Sequence, residues 1–215
     1  MTGRGADAFP LGGSLRRGRR ARGAGLLLCA ALLLPGIGAA AEPADVDALM
    51  ALLGRVQRVE ADYQETVESG LVATAIGTRG RLVYEAPDRM RRISDRGDGF
   101  DLDGQRLQVI RDGAVVTELD LADIAPLKAL VGALRACFAG DLATLRAGYR
   151  LDYAPRADDW ELGMEPTEGA VSGLLRRIEL RGSGATIYSI RVLEADGDRR
   201  TLRLRLLARE PAALD

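Results

Sequence analysis

No histidine occurs among the 215 residues of this chain. That absence removes Ser-His-Asp and Cys-His catalysis, histidine-bearing zinc sites and the imidazole general base together. Bond-making would have to rest on carboxylates, Lys128, tyrosine or arginine. Cysteine is nearly absent as well, with two residues. Cys29 lies in the N-terminal segment, and Cys137, between Ala136 and Phe138 in a helical pattern, reads as a small buried hydrophobe. Aromatic residues make up 4% of the chain. Beyond Tyr153 and Trp160 no aromatic set accompanies Asp158, Asp159, Glu161 and Glu165, and alternation turns these acids outward beside an inward Trp160. A paired-carboxylate site of glycosidase type is therefore disfavoured. Long apolar runs are missing too: Leu26 to Leu34 is shorter than the roughly 20 residues a spanning helix needs.

What stands at the N-terminus is the pattern of an export signal. Arg16, Arg17, Arg19, Arg20 and Arg22 form a basic region, the Leu26 to Leu34 run comes after it, and Ala39-x-Ala41 precedes Glu42. Cleavage after Ala41 is expected, making residues 1–41 a removed signal peptide and residues 42–215 one soluble domain. Lipidation at Cys29 is disfavoured because Leu28 stands where a small residue is usual and the apolar run continues beyond it. Removal of the leader takes six basic and one acidic residue and leaves a net charge of −6. That balance argues against nucleic acid, which calls for a basic patch. With Cys137 alone, no internal disulfide can form in the remainder.

Hydrophobic spacing orders the rest. Val46, Leu49, Met50, Leu53 and Val56 recur at helical intervals, with Asp45 and Asp47 in the first turn. From Val59 the period becomes two, as Val59, Ala61 and Tyr63 alternate with Glu60, Asp62 and Gln64. In Gly80 to Ser94, Leu82 and Tyr84 share one face of a strand while Arg81, Val83 and Glu85 share the other, and Pro87 marks a corner. Turn residues at Gly97-Asp-Gly99, Asp103-Gly104 and Asp112-Gly113 separate the strands Phe100–Leu102, Arg106–Arg111 and Val115–Leu119 of an antiparallel meander. Ile124 to Ala139 reads as one amphipathic helix closed by Gly140. Strands return at Tyr149 to Tyr153, Trp160 to Met164 and Leu175 to Leu180. Ile187 to Leu193 and Thr201 to Leu207 then pair across Ala195-Asp196-Gly197-Asp198. Pro211 and the tail should add no strand. Asp95, Asp98, Asp101 and Asp103 lack the spacing of a calcium loop and read as turn residues.

The expected fold is mainly β with a few helices. Its single sheet must hide one face, and two helices are available to cover it. Alternation alone does not separate a filled core from a cavity left open for a hydrophobic ligand, since an apolar strand face looks the same against protein or lipid.

Two stretches resemble the periplasmic outer-membrane lipoprotein carrier family, the LolA-like proteins. One is Tyr63-x-Glu65 with Gly80 to Arg92. The other, Val192-x-Glu194-Ala-Asp196-Gly-Asp198-Arg-Arg-Thr201, is similar to a hairpin of LolA-related proteins encoded beside aryl-polyene pigment and fatty-acid-like biosynthetic genes. The resemblance implies an incomplete antiparallel β-barrel, a half-barrel lidded by helices over a hydrophobic cavity. It further implies a non-enzymatic, monomeric periplasmic carrier without cofactor or metal. Such a carrier takes a lipid or lipidated cargo from an inner-membrane donor complex to an outer-membrane acceptor, with a polyene-lipid ester or fatty-acyl precursor as one candidate cargo. The alternative is a lipid-sensing periplasmic regulatory module that binds a membrane-bound partner. Strand parity under this resemblance nominates Tyr63, Leu82, Tyr84, Met90, Phe100, Leu107, Leu130, Leu134, Trp160, Leu162, Leu202 and Leu204 as cavity residues. In the family's archetype an arginine before the corner proline bonds the lid. Here that position is Ala86, so the usual lid tie is missing; Arg89, Arg91 or Arg92 could substitute, although an exposed strand arginine is more often simply solvated.

Overall fold

Asp45 accepts a hydrogen bond from the backbone N–H of Ala48 at 2.8 Å and so starts the first helix, α1, Val46–Leu53. The structure is a computed structural model that describes residues 43–69, 76–167 and 172–211, without the side chains of residues 76, 125–127, 129 and 130. The signal segment, Cys29 and Leu130's side chain lie outside that description. The helix ends at Leu53 rather than Val56, because Gly54 turns the chain and Val56 already pairs as the first residue of a strand. The described residues belong to one compact unit, Gly38–Asp215.

Strands β1 Val56–Glu68, β2 Ile76–Glu85, β3 Arg89–Ser94, β4 Gly99–Asp103, β5 Arg106–Arg111 and β6 Ala114–Asp120 succeed one another as antiparallel neighbours. After a 3-10 turn come helices α2, Ala125–Ala139, and α3, Leu142–Gly148. A second meander, β7 Tyr149–Pro155, β8 Trp160–Pro166, β9 Leu175–Ser183, β10 Thr186–Glu194 and β11 Arg199–Pro211, then returns to pair β11 with β1. The order β6-β5-β4-β3-β2-β1-β11-β10-β9-β8-β7 has two unjoined ends, so the sheet is an open half-barrel.

Sequence parity sets which face is hidden. On β11, Leu204 is buried while Arg203 and Arg205 are exposed; on β2, Leu82 and Tyr84 are buried and Arg81 is exposed. The outward rows pair as charges: Arg81 reaches Asp62 at 3.1 Å and also Glu60, and Arg205 reaches Asp62. Exposed pairs of this kind contribute little stability. The hidden face carries the core. Trp160, Leu162, Met164, Ile178 and Leu180 pack with Leu49 of α1, Leu145 of α3 and Phe138 of α2, all nearly solvent-free. Full burial of one such side chain is worth about 1.5–3 kcal/mol.

α2 lies over this face as a lid. Phe138 stacks on Tyr84 with ring centroids 4.9 Å apart. Gly140 ends the helix at φ 69°, and a Cβ there would stand 2.1 Å from the Met50 carbonyl oxygen, so only glycine fits. Two sequence expectations are corrected here. A third helix, α3, comes after the lid, capped by Asp141 accepting from the Thr144 N–H at 3.0 Å. And β11 runs on to Pro211, which sits opposite Val56 at the strand's end, where its missing N–H breaks no interior ladder.

Candidate functional site

Between α2 and the concave sheet lies an apolar cleft of about 470 Å3. Leu82, Met90 and Phe100 line it from β2, β3 and β4; Leu175, Ile190, Val192 and Leu202 line it from β9, β10 and β11. Both wings of the sheet therefore reach one space, which requires the curl. Val131, Leu134 and Phe138 of α2 close it from above, with Ile124 at the helix start and half-exposed Leu174 at the rim.

One end of the cleft is charged. Glu65, only 5% exposed, accepts from Arg92 Nη2 and, at 3.2 Å, from Arg200 Nη1. Arg200 Nη2 lies 3.4 Å from Glu194, and the Arg92 guanidinium sits 4.4 Å above the centre of the Tyr63 ring. Sequence reading did not nominate these groups as cleft residues, yet parity carries the signal. Glu65, Arg92 and Arg200 each stand two residues from an inward apolar neighbour: Tyr63, Met90 and Leu202.

Of the nominated cavity residues, Leu82, Met90, Phe100, Leu134 and Leu202 border the cleft. Tyr63 is buried beneath Arg92. Tyr84, Trp160, Leu162 and Leu204 are packed into the main core, with Trp160 Nε1 donating to the Gly184 carbonyl at 2.9 Å. Leu107 belongs to a smaller cluster with Leu102, Leu121 and Val131.

The remaining chemistry is quiet. Burial pushes the Cys137 thiol far up, away from thiolate chemistry, and its Sγ meets Met164 Sδ at 3.5 Å. Glu161 is shared by Arg156 at 3.2 Å and Arg181 at 3.1 Å, and Glu165 by Arg150 and Arg177. Among the described residues no group of three or more His, Cys, Asp or Glu side chains is placed to hold a metal ion. An open groove of about 630 Å3 is of mixed polarity, lined by Asp62, Arg79, Arg81, Arg203 and Arg205 together with Tyr63, Ile93 and Leu204.

No curated protein matches the chain. Among solved structures, it is similar to a LolA superfamily protein from Nitrosomonas europaea at 10% identity, TM-score 0.42, covering 79% of this chain and 94% of that one. A DUF1329 family protein from Desulfovibrio piger is similar at 9% identity, TM-score 0.41, covering 75% and 89%. The profile described as outer membrane lipoprotein carrier protein LolA-like matches residues 38–215. That match spans most of the sequence, and the chain accordingly belongs to the LolA-like outer membrane lipoprotein carrier family.

Proposed function

We propose that the protein is a periplasmic carrier that takes up a lipid or lipidated cargo in the cleft beneath α2 and passes it from an inner-membrane donor to an outer-membrane acceptor. The apolar cleft between α2 and the concave sheet is the observation that carries this reading. Binding rather than bond-making is the mechanism. Each methylene moved from water into the cleft contributes about 0.8 kcal/mol, so a single acyl chain suffices for tight retention. Release then needs a partner that displaces α2 and re-exposes the chain, lowering affinity by differential binding to the open form. Export with cleavage after Ala41, action as a monomer, and a polyene-lipid ester or its fatty-acyl precursor as an alternative cargo to a lipoprotein belong to the same proposal.

The test is to purify residues 42–215 from a periplasm and identify extracted lipids by mass spectrometry, beside a Leu134→Glu variant that places a charge on the lid's contribution to the cleft. A stoichiometric lipid present in the parent and lost in the variant is expected. A folded parent that carries no lipid and takes up none from vesicles would overturn the carrier reading.

A further inference from the structure

The charged end of the cleft has a chemical preference of its own. Glu65 has both carboxylate oxygens engaged, Oε2 by Arg92 and Oε1 by Arg200, and is 5% exposed. Arg92 Nε, by contrast, is buried and finds no acceptor. A guanidinium offers five N–H donors, so two of them facing one buried carboxylate leave donors in surplus. Glu194, the second acid, lies 3.4 Å from Arg200, so charges balance two against two and the surplus is one of N–H donors rather than of net charge. The unsatisfied groups at this end therefore ask for acceptor oxygens.

Resting on the carrier reading above, the geometry points to a headgroup subsite formed by Arg92 and Arg200 around Glu65, selecting an amphiphile whose head carries anionic oxygens, a carboxylate or a phosphate. The chain lies along Leu82, Met90, Phe100, Leu134 and Leu202, and the head stops at the arginines. Arg92 is held in place by Glu65 and by the Tyr63 ring, so its donors are oriented before any ligand arrives. Glu65 in this scheme is a positioning residue that also competes with the ligand for the same donors.

The experiment compares three probes of equal chain length, tetradecanoate, tetradecyl phosphate and tetradecanol, titrated calorimetrically into protein exported as the full chain, purified from the periplasm and stripped of lipid on a hydrophobic resin. One or both anionic probes should bind about tenfold or more tighter than the alcohol, the scale of a hydrogen bond to a charged group. Whichever anion wins distinguishes a carboxylate from a phosphate source. Arg200→Gln, at a half-exposed position that leaves the Arg92–Glu65 pair intact, should erase most of that advantage and leave tetradecanol binding unchanged. Glu65→Gln should move the other way, strengthening the anions because both guanidinium groups lose their internal partner. A purely structural role would weaken all three probes together in both variants. Equal binding of acid, phosphate and alcohol, unaltered by Arg200→Gln, would overturn the subsite while leaving the apolar cleft standing. No binding of any probe to the parent protein would overturn both. If Glu65→Gln fails to fold, the Arg200→Gln comparison alone decides.

Discussion

Arg135 of α2 donates through Nη2 to the backbone carbonyl of Asp88, 2.5 Å away, and to that of Gly104 at 2.6 Å. One side chain thus straps the lid helix to the β2–β3 corner and the β4–β5 turn. The resemblance places such a tie at the residue before Pro87, where this chain has Ala86; here the arginine reaches the corner from the helix instead. Its guanidinium is partly desolvated, which lowers its pKa, while the charges of Asp88 and Asp103 act in the opposite direction. Arg135→Ala should cost about 2 kcal/mol, since two charge-assisted bonds go and two carbonyls lose a donor. Hydrogen exchange should rise in residues 125–139 before it rises in β8 or β9. Unchanged thermal stability and unchanged exchange would show that the strap holds nothing.

Gly182 marks a close approach of backbone to ring. A Cβ built there would lie 2.2 Å from Trp160 Cζ2 and 2.5 Å from the Thr186 carbonyl oxygen. Gly182→Ala is expected to destabilise by about 1–3 kcal/mol, the scale of overpacking in a filled core. Denaturant titration, followed through the fluorescence of Trp160, the chain's one tryptophan, measures it directly. A neutral result would mean that Trp160 has room to move.

Cys137 should resist thiol reagents in the native state. It is fully buried and its thiol is held protonated by desolvation. Alkylation by iodoacetamide near pH 8 should proceed only as fast as the core opens and become fast in denaturant. Rapid labelling of folded protein would contradict the packing of α2.

The cap of α3 gives a signed pH effect. The Thr144 hydroxyl and backbone N–H donate to Asp141 and hold its carboxyl below the ordinary carboxylate range. A folded pKa below the unfolded one means that the contribution is complete above the unfolded value, about pH 4, and is lost as the pH falls through the folded one. Asp141→Asn should flatten that acid-side slope and leave stability at neutral pH nearly unchanged, because asparagine also caps. Parallel melting curves from pH 7 to 3 compare the two; identical slopes would refute the assignment.

Much of this architecture was legible because the strands are amphipathic and the turns carry their own chemistry. Leu202 and Leu204 against Arg203 and Arg205 announced the faces of β11, and Asp196-Gly197 announced the hairpin before it, with Gly197 at φ 97°. Gly140 marked the end of α2 for a steric reason that survives in the structure. α3 escaped because seven residues show little periodicity, although Asp141 three residues before Thr144 was a readable cap. Core and cleft could not be separated by parity. Trp160 and Leu202 both point inward, and only the curl of the sheet decides which one meets packed protein and which borders space. The charged end was readable in principle, since Glu65, Arg92 and Arg200 hold inward positions, but inward charge on a strand is easily assigned to the solvent side.

The pairing of β1 with β11 joins the first described strand to the last, with Glu68 opposite Arg199 and Val56 opposite Pro211. The middle of the sheet is consequently the last part to exist. Until residues 199–211 are available, β1 and β10 are bare edges. Contacts this distant along the chain form slowly. Among the described residues, the sheet stays in two halves until β11 joins them.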